Sequence, residues 1–482
     1  MEIFKILIPI FMTMLVAMPI AVGIYLKIKN KLDEKNLCYL ILLCGVLIRL
    51  AYISYTDSHV RQHDLGSLYT INDDHLGYMV YILEHRFWPM CDPRDNYQYY
   101  HPPFYYILCS AVLRVLDALG VDYRIVAPGF FQIFSVAYSE IFCVLAYMTM
   151  KELGFKGKVL ALTTAVVTFH PTLIILSGSI NNDMLSSLLG MSAIYFTVRW
   201  AKERRMRDII FTALSVGFGM LTKLTVGLIS PAIAAVFLTV LIKQRKEWKR
   251  LVPQFAVFAV ICLPLGLFWS VRNYVRFGMP PNYVVRIAET AEQYISVPPL
   301  QRLFDYSLYQ FSSPFMQWTT IEGMTYNEFN PVIALLKSAM FDEEPLFAPH
   351  TVMEGVCMAL FISGAVTAVL SAAAVIIMLT KKEKLPLEFK LLILIIFGVI
   401  FGNYIIFCLN YPFVCTENMR YCVPLIFAGS AALGLLIRRS EESGNAVMRF
   451  TGKAACVGMT AMCTFSIIVY TAMLYYGVIL IG

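Results

Sequence analysis

The chain has 482 residues, of which 59% are hydrophobic and only 15% charged, with a formal net charge of +7. Its mean hydropathy is +0.67. Soluble globular chains run near half apolar and a quarter charged, so this composition excludes a soluble enzyme, and membrane topology accounts for the basic excess without a nucleic-acid partner.

A hydrocarbon core of ~30 Å takes ~20 apolar residues per helix, and many such runs are present. In chain order they fall at about 3–26, 37–53, 126–150, 159–176, 184–199, 208–222, 224–242, 252–271, 352–379, 388–409, 420–437 and 453–480. The expectation is an all-α, polytopic membrane protein with about twelve transmembrane helices and a single multi-spanning domain over 1–482. The first run is too long for a signal-peptide core, lacks a small-x-small cleavage site and is followed by basic KIKNK, so it reads as a retained helix.

Lysine and arginine fix the orientation. Lys27, Lys29, Lys31 and Lys35, then Lys151, Lys156 and Lys158, then RWAKERRMRD and KQRKEWKR, then Lys381, Lys382, Lys384 and Lys390, and last Arg438, Arg439, Arg449 and Lys453 cluster in alternate loops. Threading these to the cytoplasm places 54–125, 177–183, 272–351 and 410–419 on the exterior of a cell membrane. Segment 104–119 is apolar but short and carries Arg114 and Asp117. Making it a span would turn the basic loop at 151–158 outward, so it is expected to lie in the interface as a juxtamembrane helix. The exterior loop 272–351, rich in proline and aromatics, reads as an ordered lid or vestibule. The 12 cysteines show no C-x-x-C pair; Cys91 and Cys415, in exterior loops, are candidates for pairing.

The first exterior loop, 54–125, is where chemistry concentrates. It holds five of the seven histidines (His59, His63, His75, His85, His101) and the adjacent Asp73 and Asp74. Asp74, Tyr78 and Tyr81 are spaced i, i+4, i+7 and share one helix face; the plain alternative for Asp74 is a charged helix N-terminus. His101, pinned before two prolines in YYHPPFYY, is placed to hydrogen-bond a phosphate or shuttle a proton. The turn SGSINND offers Asp183 with Asn181 and Asn182, beyond what one helix cap requires. Lys223, in LTKLT, and Arg420, in ENMRYCVP, either snorkel or bind an anion. Arg272 and Arg276 read as structural. His59 and His63, spaced i, i+4 beside Asp64, would be metal ligands only on a helix. That signal is weak, so the reading leans against a divalent metal, and no cofactor is expected.

Taken in order, NDDHLGYMVYILEHRFWP, NYQYYHPPFYYIL, SINNDML, LTKLT, RNYVRFG and MRYCVP resemble the GT-C membrane glycosyltransferases, nearest to bacterial relatives of the protein O-mannosyltransferases and the lipid A aminoarabinose transferases. The resemblance runs from about 37 to 437. It implies a polyprenyl-phosphate-linked sugar donor and inverting transfer to an acceptor on the exterior face, whether lipid, glycan or protein. It further implies catalytic roles for Asp74, Asp73 and Asp183, and donor-phosphate contacts from His101, Lys223 and Arg420. Tyr78, Tyr105, Asn182 and Tyr421 are the candidate lining of the substrate pocket. One departure is that the family's Asp-Glu pair becomes Asp73-Asp74 followed by His75, which leaves the choice of base between the two aspartates. A transporter or lipid flippase, and a polymer ligase or polymerase using a diphosphate-linked donor, are the alternatives.

Overall fold

In the computed structural model the described residues are 2–72, 74–96, 98–285, 287–321, 324–347, 351–380 and 384–476. Long apolar runs separated by basic loops have one outcome in lipid, where each backbone amide must be hydrogen-bonded within its own segment. The chain opens with α1 (Glu2–Ile28) and α2 (Glu34–Tyr55), passes through α3 (His75–His85) and α4 (Phe104–Ala118), and continues through α5 (Tyr123–Glu152). There follow α6 (Gly157–Thr168), α7 (Pro171–Ile175), α8 (Asp183–Glu203), α9 (Met206–Thr222), α10 (Ser230–Lys243) and α11 (Trp248–Phe277). The long loop carries α12 (Pro299–Phe304), a two-stranded antiparallel hairpin of β1 (Trp318–Ile321) and β2 (Met324–Asn327), and α13 (Pro331–Phe341). The chain closes with α14 (Val352–Thr380), α15 (Leu387–Asn410), α16 (Pro424–Glu442) and α17 (Ala446–Tyr476).

Eight helices among the described residues are individually long and apolar enough to cross a membrane, and ten if each of two bent pairs counts as one span. The expected count of twelve is therefore not reached on those criteria. Among the described residues all twelve expected segments are mainly helical; the remaining two are α8, with Asp183, Arg199, Lys202 and Glu203 at its ends, and α9, with only 17 residues. The bent pairs have a common cause. At α6–α7 the chain turns by 51° before Pro171, and between the 414–421 segment and α16 it turns by 56° before Pro424. Proline lacks the amide that would continue the preceding helix and pushes the residue before it out of the α region. Helix α4, at 15 residues, is ~22 Å long against a hydrocarbon core of ~30 Å, and it packs along α3 and α5.

The centre of the bundle is α6, α7 and α16, where almost every residue is buried. An ionisable group sits there that the sequence reading did not single out. Arg49 of α2 is fully buried, and its guanidinium donates to Ser139 Oγ (2.8 Å), Gly45 O (3.0 Å) and Thr168 O (3.0 Å), with Glu140 at 3.6 Å. Thr168 ends α6, so its carbonyl has lost its helical donor and Arg49 supplies one. An intramembrane charge usually marks a functional path; here it closes a helix break.

The loop between α11 and α14 is fastened to the turn before α16. Arg302 of α12 pairs with Glu417 at 2.7 Å, and Lys337 of α13 pairs with Glu328 at 2.8 Å, all four side chains being almost wholly buried. Arg302 Nε also donates to Phe329 O, and the backbone amides of Ile295 and Val414 bond Pro412 O and Gln293 O. Removing one member of a buried pair leaves an uncompensated charge that costs ~3–5 kcal/mol, whereas replacing both by apolar groups is often neutral. Arg302→Met is therefore expected to lower the unfolding temperature markedly, and Arg302→Met with Glu417→Leu to recover most of the loss. Thermal unfolding of the two variants in lipid nanodiscs checks this.

Candidate active site

The turn Ser179–Asn182 is bent out of the α7 direction and held by side chains of the first loop. Gln62 donates to Gly178 O and accepts from the Ile180 amide, both at 2.9 Å, and Ser135 of α5 donates to Ser179 O at 2.7 Å. This sets Asp183 at the start of α8, buried. Asn182 donates to Thr222 O at 3.0 Å, which ties the turn to the end of α9. The next residue is Lys223, where α9 stops in an extended backbone conformation. Its ammonium, only 12% exposed, is paired directly with the Asp183 carboxylate.

The third element arrives from the other end of the chain. Tyr421 presents its ring to Lys223 Nζ at 5.2 Å and to the Arg420 guanidinium at 5.1 Å. Arg420 Nη2 donates to the Tyr421 hydroxyl at 3.1 Å, while Arg420 Nε is buried and has no hydrogen-bond partner among the described residues. Two cations on one aromatic ring, with Asp183 as counter-charge and an open guanidinium N–H, make a place for an anion. Asp183, Lys223, Arg420 and Tyr421, expected from the sequence, are thus brought together, with Asn182 behind them.

The first loop supplies the other side. Asp74 is the N-cap of α3, its Oδ1 accepting from the Gly77 amide at 2.6 Å. The strand of loop at Asp64–Gly66 lies against it: His75 N donates to Asp64 O, and Leu76 N to Leu65 O. Gly66 has φ +72°, and a Cβ there would stand 1.7–2.1 Å from the Asp74 carboxyl atoms. That carboxylate occupies space which only glycine leaves. Asp73 lies outside the described residues.

His75 and His101 stack at 6.1 Å, and His75 Nδ1 is 2.8 Å from the Tyr106 hydroxyl. Burial pushes His75 down to about 4, and burial followed by the nearby Lys223 holds His101 well below the usual histidine range. Both rings are neutral at pH 7. His101 can therefore donate a hydrogen bond but brings no charge, leaving Lys223 and Arg420 as the cations. The charges of Asp183, Lys223 and Arg420 act on both histidines, so the two sides of the site lie within electrostatic range of each other.

Two expected pocket residues sit in a packed aromatic cluster. Tyr78 is fully buried, stacked on Tyr106 at 4.0 Å, and Tyr105 is 2% exposed in the same cluster between α3, α4 and α5. The face of α3 that carries Tyr78 is the one its neighbours cover. The pair His59 and His63 also separates. That stretch is not helical, His59 is exposed beside Asp57, and His63 faces Asp342 and Glu343 instead. Cys91 and Cys415 are both free thiols. Sequence reasoning missed Asp342, Glu343 and Asn418; the run of three acidic residues after α13 (342–344) was the available signal.

Two expectations follow. Gly66→Ala displaces the Asp74 carboxylate, so it should leave the purified protein folded and monodisperse while cutting any Asp74-dependent turnover by more than tenfold. Second, at His75 the unfolded chain binds more protons than the folded one between the ordinary histidine value of about 6.5 and about 4. Stability is therefore present above this window and lost as pH falls through it. At about 1.4 kcal/mol per unit, His75 accounts for on the order of 3 kcal/mol. Thermal unfolding from pH 7.5 to 4.5 should show a shallower acid-side fall for His75→Gln than for wild type.

Comparison with known proteins bears on this arrangement. Residues 101–269 match the family model described as dolichyl-phosphate-mannose-protein mannosyltransferase. Comparison with curated proteins gives no match. Among solved structures, the apo oligosaccharyltransferase of Archaeoglobus fulgidus is similar at 13% identity and a TM-score of 0.48, over 91% of this chain and 56% of that one. The chain thus spans little more than half the length of that enzyme. ArnT from Cupriavidus metallidurans, bound to undecaprenyl phosphate, is similar at 11% identity and a TM-score of 0.39, over 89% of this chain and 76% of that one. His101, Asp183 and Lys223 all lie inside the segment matched by the mannosyltransferase model, which bears out the resemblance to the GT-C membrane glycosyltransferases.

Proposed function

We propose that this protein is an integral-membrane glycosyltransferase that moves a sugar from a polyprenyl-phosphate donor to an acceptor on the exterior face, with inversion at the anomeric carbon. The observation that carries the reading is the pair of cations, Lys223 and Arg420, facing one Tyr421 ring beside Asp183. The family match supports a lipid-monophosphate donor by its description. A hexosyl or pentosyl group is transferred, and the bilayer supplies the lipid tail.

In the step proposed, the acceptor oxygen or nitrogen attacks the anomeric carbon as the bond to the phosphate oxygen breaks. The acceptor proton passes to Asp74, and the polyprenyl phosphate leaves as a dianion. Such a leaving group needs charge stabilisation rather than a strong acid. Lys223 has three donors, of which Asp183 takes one, so the carboxylate orients the ammonium and leaves donors for phosphate. Arg420 adds its open Nε, and neutral His101 adds a hydrogen bond. A base in reach of the acceptor contributes ~10²–10⁴-fold, and a pre-aimed donor to the developing charge ~10²–10³-fold.

The test uses the purified protein in lipid with a panel of polyprenyl-phosphate sugars, following donor consumption. Asn caps a helix as well as Asp does, so Asp74→Asn should preserve α3 while lowering turnover by at least ~100-fold. Arg420→Met should cost a similar factor and weaken donor binding. A near wild-type rate in Asp74→Asn removes the proposed base. Consumption of diphosphate-linked donors alone turns the reading toward a polymerase or ligase, and substrate translocation without transfer turns it toward a transporter.

A further inference from the structure

A second charged cluster lies beside Arg420 and plays no part in the step above. His63, in the first loop, meets Asp342 and Glu343, which follow α13 some 280 residues later. His63 Nε2 is 3.0 Å from Asp342 Oδ2, and His63 Nδ1 is 3.7 Å from Glu343 Oε2. Adjacent residues in extended chain point to opposite sides, yet here both carboxylates turn to one imidazole. The cause is in the backbone. Asp342 has φ +61° and ψ −150°, a conformation that is essentially glycine's and costs ~1–3 kcal/mol in any other residue. Such strain persists only where the surroundings over-determine it.

The surroundings do so here. Asn418 Nδ2 donates to Asp342 Oδ1 at 2.6 Å and to Glu343 Oε1 at 2.8 Å. One amide thus takes the outer oxygen of each carboxylate, leaving Asp342 Oδ2 and Glu343 Oε2 turned toward His63. On the other flank Arg61 donates to Phe341 O at 2.6 Å and pins the backbone at the strained residue. Asp342 stands at Nε2 and Glu343 at Nδ1, so one imidazole and two carboxylates, oriented from behind by a hydrogen-bond donor, supply the ligand types of a metal site with its supporting shell once the ring presents one nitrogen to both.

We propose that His63, Asp342 and Glu343 bind one divalent cation of the zinc–manganese class, held in place by Asn418. The three ligand atoms lie within 4.8 Å of one another. Bonds of ~2.0–2.2 Å place tetrahedral ligands ~3.4 Å apart, so Asp342, already at 3.0 Å, stands within reach and the Glu343 carboxylate closes in by no more than ~1.4 Å on binding. A mixed nitrogen–oxygen set suits zinc or manganese better than magnesium or calcium, which prefer oxygen alone. Three protein ligands leave at least one position open. Arg420 is close enough to Asp342 and Glu343 for their charges to interact, so an anion filling that position would also meet the charge of the Arg420 guanidinium. This last clause rests on the donor reading; the metal site itself does not.

The competitor for the site is a proton, since an imidazolium would satisfy the same two carboxylates. The full-length protein in nanodiscs, stripped with a chelator, is therefore incubated at pH 7.5 with zinc alone, separated from free metal and assayed for bound zinc. One zinc per chain is expected in wild type, with at least a tenfold loss of affinity in His63→Gln and in Asp342→Asn. Cobalt added to wild type is expected to give a visible absorption band that zinc abolishes, a reading independent of any variant. Zinc should also raise the wild-type unfolding temperature. Wild type retaining no more zinc than His63→Gln, or a cobalt spectrum identical to that of the free ion, overturns the proposal in favour of the imidazolium. Donor consumption by the stripped protein is measured separately, so failure of the metal site leaves the transfer reading standing or falling on its own assay.

Discussion

An ammonium at the edge of a membrane bundle keeps its charge only if something nearby compensates the lost water, and the Lys223–Asp183 contact does this for the candidate site. An unpaired buried charge costs several kcal/mol, and the group neutralises instead. Tyr421 adds its ring face to the ammonium. The cost of burying Asp183 is met in the same way, by Lys223 and by nearby Arg420. Each partner offsets the cost of burying the other. That mutual dependence explains why the loop 179–182, the end of α9 and the turn before α16 must converge at one point.

The convergence is built from helix interruptions. Pro171 ends the α6 direction and starts the descent to Asp183; Lys223 is the break between α9 and the turn leading to α10; Pro424 stops the segment carrying Arg420 and Tyr421; Pro102 and Pro103 hold His101 before α4. Unbroken helices in lipid satisfy their own backbone and present only side chains to each other. Breaks expose carbonyls and amides that need partners, and the side chains that answer them are polar: Asn182 on Thr222 O, Gln62 on Gly178 O, Arg49 on Thr168 O. Polar residues therefore collect where helices fail, and the site collects there with them.

This accounts for what was legible in the sequence. The helical segments follow from apolar runs, and Asp183, Lys223 and Arg420 stand out because they are charges at the ends of such runs. The charge state of His101 was not legible, because it depends on burial under residues far away in the chain. The role of Tyr78 was not either: the i, i+4 spacing from Asp74 fixes a helix face but not whether that face meets solvent or α4. Asp342 and Glu343 escaped because an acidic run by itself reads as a solvated loop, and their turn toward His63 depends on a left-handed backbone at Asp342 that the run does not announce. Asn418 escaped for a related reason, since its partners lie some 75 residues earlier.

The clamp on the long loop gives the arrangement its last dependency. Arg302 and Glu417 fix the turn 414–421 from beneath, one residue before Asn418 and three before Arg420. Asn418 then divides its work: its Nδ2 holds the Asp342 and Glu343 carboxylates, while its Oδ1 accepts from the Arg420 amide at 2.9 Å. A single asparagine therefore joins the cation that faces Tyr421 to the cluster around His63. The Arg302–Glu417 pair therefore anchors the short turn on which both charged centres depend, although their side chains come from five separate stretches of chain.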